Sequence, residues 1–111
     1  MVGTIWDEIN HNEQMLEASL NTLRKNGEAS AEAERDYRIA KTKAILTMRE
    51  KGYPTTLIPE LVKGLKEVAD LDFRRNIADV VYKANLEAIN VYKKKSDDLR
   101  MIFEKEYSNT K

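Results

Sequence analysis

The 111-residue sequence contains no cysteine, one histidine, two prolines and four glycines. Without cysteine there is no disulfide scaffold, no thiolate zinc site and no cysteine nucleophile. The lone His11 excludes a histidine-rich metal centre, and any Ser–His–Asp array would have to use it. So few glycines and prolines leave an all-β sandwich without the turns it needs. No uncharged stretch approaches the ~18 residues of a membrane span. The opening residues, Met1 to Glu8, are acidic and lack the cationic and apolar regions of a secretory signal, so the expected location is the cytoplasm. Neither sign of charge is in excess: 19 Lys+Arg stand against 19 Asp+Glu, a formal net charge of zero. That removes most of the sequence-independent phosphate attraction on which duplex DNA binding relies.

What is present is helical periodicity. Apolar residues make up 41% and charged residues 34% of the chain, enough of the former to fold and too balanced for a disordered tail. The length accommodates one domain. In the first segment Ile9, Leu16, Leu20 and Leu23 share a helical face. Thr4 reads as an N-cap, with Asp7 and Glu8 in the first turn. Asn26-Gly27 is a turn or C-cap signal. The apolar stripe nevertheless continues across it through Ser30, Ala33, Tyr37, Ala40, Ala44 and Met48 in steps of three and four. Either one helix runs from about 4 to 51, which the continuous stripe favours, or two helices meet at Gly27.

The second break is sharper. Lys51-Gly52-Tyr53-Pro54 combines a basic last turn, a C′ glycine and a following proline. Thr55-Thr56-Leu57-Ile58-Pro59-Glu60 then reads as a cap followed by a first-turn proline and an early acid, opening a short helix over about 57–63 that stops at Gly64. From about 65 to 107 there is neither Gly nor Pro. Val68, Leu71, Arg75, Ala78, Tyr82, Asn85, Ile89, Tyr92, Ser96, Leu99 and Phe103 follow a three–four alternation, and Ile77, Val81, Ala84, Ala88 and Val91 form a second stripe beside it.

The expected fold is therefore all-α: a long antiparallel helical hairpin with a short elbow helix, its core over residues 35–107 and a helical extension over 1–34. The last helix has an apolar arc wider than one partner covers. A second copy of the chain would bury it in a helical-bundle oligomer, with Ile77, Val81, Tyr82, Asn85 and Ile89 as the expected interface. The competing arrangement folds residues 4–25 back to make a monomeric three-helix bundle. Arg75, Asn85 and Ser96 interrupt the stripe, as buried polar residues do when they select register or oligomeric state.

Chemistry is sparse. Carboxylate pairs such as Glu28/Glu32 and Glu32/Asp36 lack the Glu-x-x-His motifs of a di-metal bundle. Gly52 and Gly64 are isolated, and no phosphate loop is present. The sequence thus predicts no catalytic residue, no metal and no cofactor. The elbow is more suggestive. Arg49, Lys51, Lys63, Lys66, Arg74 and Arg75 fall within a few turns of it, with Thr55 and Thr56 at a helix start and Tyr53 as a stacking face. Of these, Arg49, Tyr53, Thr55, Thr56, Lys63, Arg74 and Arg75 are the expected site for an anion or a nucleotide phosphate. The alternative is that these cations pair with Glu50, Glu60, Glu67, Asp70 and Asp72.

Residues 35–107 resemble a family of short, uncharacterised helical proteins encoded by bacteriophages and prophages of Gram-positive bacteria. The resemblance rests on Arg35-Asp36-Tyr37-Arg38-Ile39-Ala40-Lys41, on Gly52-Tyr53-Pro54-Thr55-Thr56-Leu57-Ile58, on Asp72-Phe73-Arg74-Arg75 and on Tyr82 through Asn90. The Gly-Tyr-Pro-Thr-Thr elbow is its most specific part. It implies a small early phage protein acting in the host cytoplasm by binding rather than catalysis. One expectation is counter-defence, by sequestering an anionic nucleotide signal or a host defence protein. The other is an accessory of phage DNA replication or recombination, contacting single-stranded nucleic acid or a recombinase.

Overall fold

A computed structural model describes residues 2–109 and contains three helices with no strand among them. Helix α1 spans Val2–Glu50, 49 residues. It begins ahead of Thr4, so Thr4 lies inside the helix rather than at its cap, and its first turn holds no acid. An exposed terminal turn can leave its N–H groups to water, so a side-chain cap is dispensable there.

Helix α1 is continuous through Asn26 and Gly27. No turn sends residues 4–25 back along the chain, which removes the three-helix-bundle alternative. Gly27 has a different role from a hinge. A Cβ at this position would lie 3.2 Å from Cε1 of Tyr82, so the missing side chain lets the ring close onto the helix. Gly→Ala inside a helix ordinarily gains about 1 kcal/mol. Here the gain is opposed by the ring, and Gly27→Ala should fail to stabilise the protein. In a Tyr82→Ala background the same change should recover about 1 kcal/mol, an unfavourable coupling that a double-mutant cycle in urea would read directly.

The end of α1 follows the sequence closely. Gly52 has φ of +81°, the left-handed region. The Tyr53 N–H donates to the Met48 carbonyl at 3.1 Å and the Gly52 N–H to the Arg49 carbonyl at 3.0 Å, the paired bonds of a Schellman motif. Nothing lies within 4 Å of a Cβ built on Gly52, so a substitution there meets backbone strain and no clash. Gly52→Val should cost about 1–2 kcal/mol by thermal or urea unfolding.

Helix α2 covers Ile58–Lys63, with a proline in its first turn. Its N-cap is Leu57, and no side chain caps it. Thr55 and Thr56 therefore do not cap α2. A preceding turn, closed by the Leu57 N–H on the Pro54 carbonyl at 3.0 Å, leads the chain into the helix instead. Ile58 and Val62, one helical turn apart, are 3% and 1% exposed and supply the inward face of this short element. Helix α3 runs Lys66–Asn109.

The chain divides into two compact units. One comprises residues 25–82. Ala40, Ile58, Val62 and Val68 form its buried core, with Tyr37, Ala44, Ile45, Met48 and Leu71 packed around them. The other comprises the described residues of 1–24 and 83–111. Its seam is partly polar. Asn12, 1% exposed, donates through Nδ2 to the Tyr92 carbonyl at 2.9 Å and to Ser96 Oγ at 2.7 Å. Asn85 donates to the Ser19 carbonyl at 2.9 Å. Ile89 and Leu99 are buried beside them, and Trp6, Phe103 and Tyr107 form an aromatic chain with centroids 6.0 and 4.5 Å apart.

Candidate functional site

The seam stripe of α3 is consumed inside the chain. From Val68 to Phe103, every residue of the three–four alternation is buried or half-buried. Of the expected interface residues, Tyr82 packs over Gly27, Asn85 is hydrogen-bonded to Ser19, and Ile89 is buried. Ile77 and Val81 stand on the other stripe and are 51% and 45% exposed. Phe73 and Val80 are exposed with them. At about 100° per residue these four fall on the face of α3 turned away from the seam.

Arg75 sits well inside that seam rather than at the elbow. Its guanidinium bonds Asp72 at 2.6 Å and Glu34 at 3.5 Å, and lies 4.0 Å over the Tyr37 ring. Asp72 supplies the counter-charge that the sequence offered as one of two alternatives. The Glu34 carboxylate is held below its usual range, first by the hydrogen bond from Arg38 and then by the charge of Arg75. A groove of about 600 Å³ beside this cluster is lined by Gly27, Ser30, Glu34, Arg75, Asn76, Asp79 and Tyr82, among others. Two acids against one cation make it a poor place for an anion.

The elbow holds a different cavity, of about 450 Å³. That volume falls in the range of small-molecule sites. Its apolar lining comes from Ala40, Ala44 and Met48 on α1, Val68 on α3, and Leu65 and Tyr53. Its charged lining is Lys43, Lys51 and Lys66 against Glu67 alone. The spacing explains the layout. Ala40, Ala44 and Met48 repeat every four residues and turn one row inward. Lys43, Thr47 and Lys51 form the neighbouring row, one position away, at the rim. The first turn of α3 brings Lys66 and Glu67 to the same cavity, and Lys66 also pairs with Asp70 at 3.0 Å.

Tyr53, the aromatic residue expected at the site, lines this cavity. Arg49, Thr55, Thr56, Lys63, Arg74 and Arg75 are not among its lining residues. Lys63 turns to Glu60 at 3.3 Å, and Arg74 is exposed. Of the elbow cations counted in the sequence, Lys51 and Lys66 line this cavity. Sequence reasoning missed Lys43, although the 43–47–51 row was readable as a polar strip beside an apolar one. It also missed Asn12, whose place in the stripe is clear once the three–four count is carried through polar positions as well. No cluster of metal-ligating residues occurs among the described residues, and no helix among them is long and apolar enough to cross a membrane. Comparisons with family models, with curated proteins and with solved structures gave no match.

Proposed function

We propose that this chain is a non-enzymatic binding protein that captures a small anionic ligand in the elbow cavity. The observation that carries this reading is the charge of the cavity: Lys43, Lys51 and Lys66 line it against Glu67, and with Lys66 paired to Asp70 an excess of one cation remains around an apolar lining that includes Tyr53. The lysines supply charge without fixed geometry, and the aromatic wall supplies contact area for a base. In biological terms the reading is phage counter-defence in the host cytoplasm, the ligand being a nucleotide signal removed by sequestration. The chain acts as a long antiparallel helical hairpin, and copies associate through the exposed face of α3 into a larger bundle.

Equilibrium dialysis against adenosine monophosphate tests the reading. The wild-type chain should retain the nucleotide, and reversing two rim charges with Lys43→Glu and Lys66→Glu should weaken retention at least tenfold, about 1.4 kcal/mol. Both side chains are solvent-exposed, so circular dichroism should be unchanged. Failure to retain any nucleotide, combined with salt-sensitive binding of single-stranded DNA, would favour the replication or recombination accessory instead. Capture of a host protein with no small-molecule binding would leave the protein-partner form of counter-defence.

A further inference from the structure

The composition of the elbow cavity goes further than its charge, and it specifies what kind of anion fits. We infer that the site selects an aromatic phosphate by its charged head and flat body, without reading the edge of the base. This rests on the proposed capture of an anion in the same cavity.

Two observations lead there. Adenine is read by the paired donor and acceptor of an Asn or Gln amide and guanine by paired donors, whereas a lone carboxylate or hydroxyl meets the exocyclic amine that adenine and cytosine share and does not separate them. No Asn, Gln or Arg lines this cavity; its polar members are three lysines, Thr47 and Glu67. A lysine is a flexible point charge that favours phosphate and does not distinguish adenine from cytosine. The body of the ligand instead meets Tyr53, Met48 and Ala44. A thioether and a phenol ring favour a flat aromatic partner, through sulfur–aromatic contact and offset stacking. The small side chain of Ala44, half-buried in the lining, leaves room for the plane of a ring where a larger one would fill it. The neighbouring groove at Gly27 and Tyr82 has the opposite composition, with Asn76 and Arg75 but an excess of acid.

Calorimetric titration of the full chain with four probes tests this: adenosine monophosphate, cytidine monophosphate, phenyl phosphate and inorganic phosphate. The two nucleotides and phenyl phosphate should bind within about threefold of one another, and inorganic phosphate at least about tenfold more weakly. Tyr53→Leu, which keeps an apolar side chain after the Gly52 cap, should bring the three aromatic probes towards inorganic phosphate and leave inorganic phosphate unmoved. If the nucleotides bind and phenyl phosphate does not, the site reads ribose or base edges, and the inference fails while anion capture stands. If all four bind alike, only the head is recognised and the inference again fails. If none binds, the capture reading itself falls and takes the inference with it.

Discussion

Asn12→Asp should destabilise the protein by about 3–5 kcal/mol at neutral pH, the range for a buried charge left without a partner. Asn12 is almost wholly enclosed, and its Nδ2 donates to a backbone carbonyl that can only accept. Its Oδ1 is already buried without a hydrogen-bond partner. An aspartate would set a second acceptor against the Tyr92 carbonyl, and the bond that Asn12 now gives Ser96 would have to reverse, with the hydroxyl donating. Burial and the facing carbonyl both disfavour the ionised form, so the folded-state pKa of the new acid would rise above its unfolded value. The sign follows. Below the unfolded carboxylate pKa both states are protonated and the ionisation penalty is absent. As pH rises past that value the unfolded state ionises first, and stability falls until the folded pKa is passed. Urea unfolding at pH 4 and pH 7 should therefore separate, with the variant weaker at pH 7. Asn12→Leu should cost less, about 1–3 kcal/mol, and equally at both pH values, since it leaves the Tyr92 carbonyl and Ser96 hydroxyl without the amide but introduces no charge. An aspartate variant as stable as wild type at pH 7 would mean that water reaches position 12.

If copies associate through the exposed face of α3 as proposed, Val81→Asp should at least halve the mass in solution while leaving the fold of each chain intact. Val81 is 45% exposed and lies off the seam, so a charge there can reach water in the single chain. In an apolar interface formed with Phe73, Ile77 and Val80 of two copies, the same charge would be desolvated and unpaired. Light scattering at micromolar concentration should give the wild-type chain at least twice its 12.8 kDa and the variant close to it. A monomeric wild type across a wide concentration range would contradict the assembly. Ile89→Asp is the contrast: Ile89 is 5% exposed, and its replacement should unfold the chain rather than dissociate it.

The two stripes on α3 show how much of the fold was legible in the sequence. Their spacing placed Val68, Leu71, Tyr82, Ile89 and Leu99 on one face, and this is the face that packs. Periodicity alone did not say which stripe the chain uses for itself, because Tyr82 and Ile89 look as available as Ile77 and Val81 until a partner is placed against them. The choice is made on α1: Gly27 admits the Tyr82 ring, and Ser19 accepts the Asn85 amide. The Gly52 cap was readable because a left-handed residue needs glycine and the following proline cannot extend the helix. The threonine cap was not, since Thr55-Thr56 before Pro59 has the same composition whether or not the hydroxyls bond. At the elbow, proximity in sequence overstated Arg74 and Arg75. Adjacent residues on a helix point about 100° apart, and Arg75 turns into the seam towards Glu34 and Asp72. Lys43 and Lys66, 23 positions apart, line one cavity, a proximity that spacing along the sequence does not show.

Amide chemical shifts followed during titration with adenosine monophosphate locate the ligand most directly. Perturbations should cluster at residues 40–53 and 65–68, and the Lys43→Glu, Lys66→Glu double variant should need at least about tenfold more nucleotide to reach them. Shifts confined to the Gly27–Tyr82 groove or to residues 1–24, or no shifts at millimolar nucleotide, would contradict capture at the elbow.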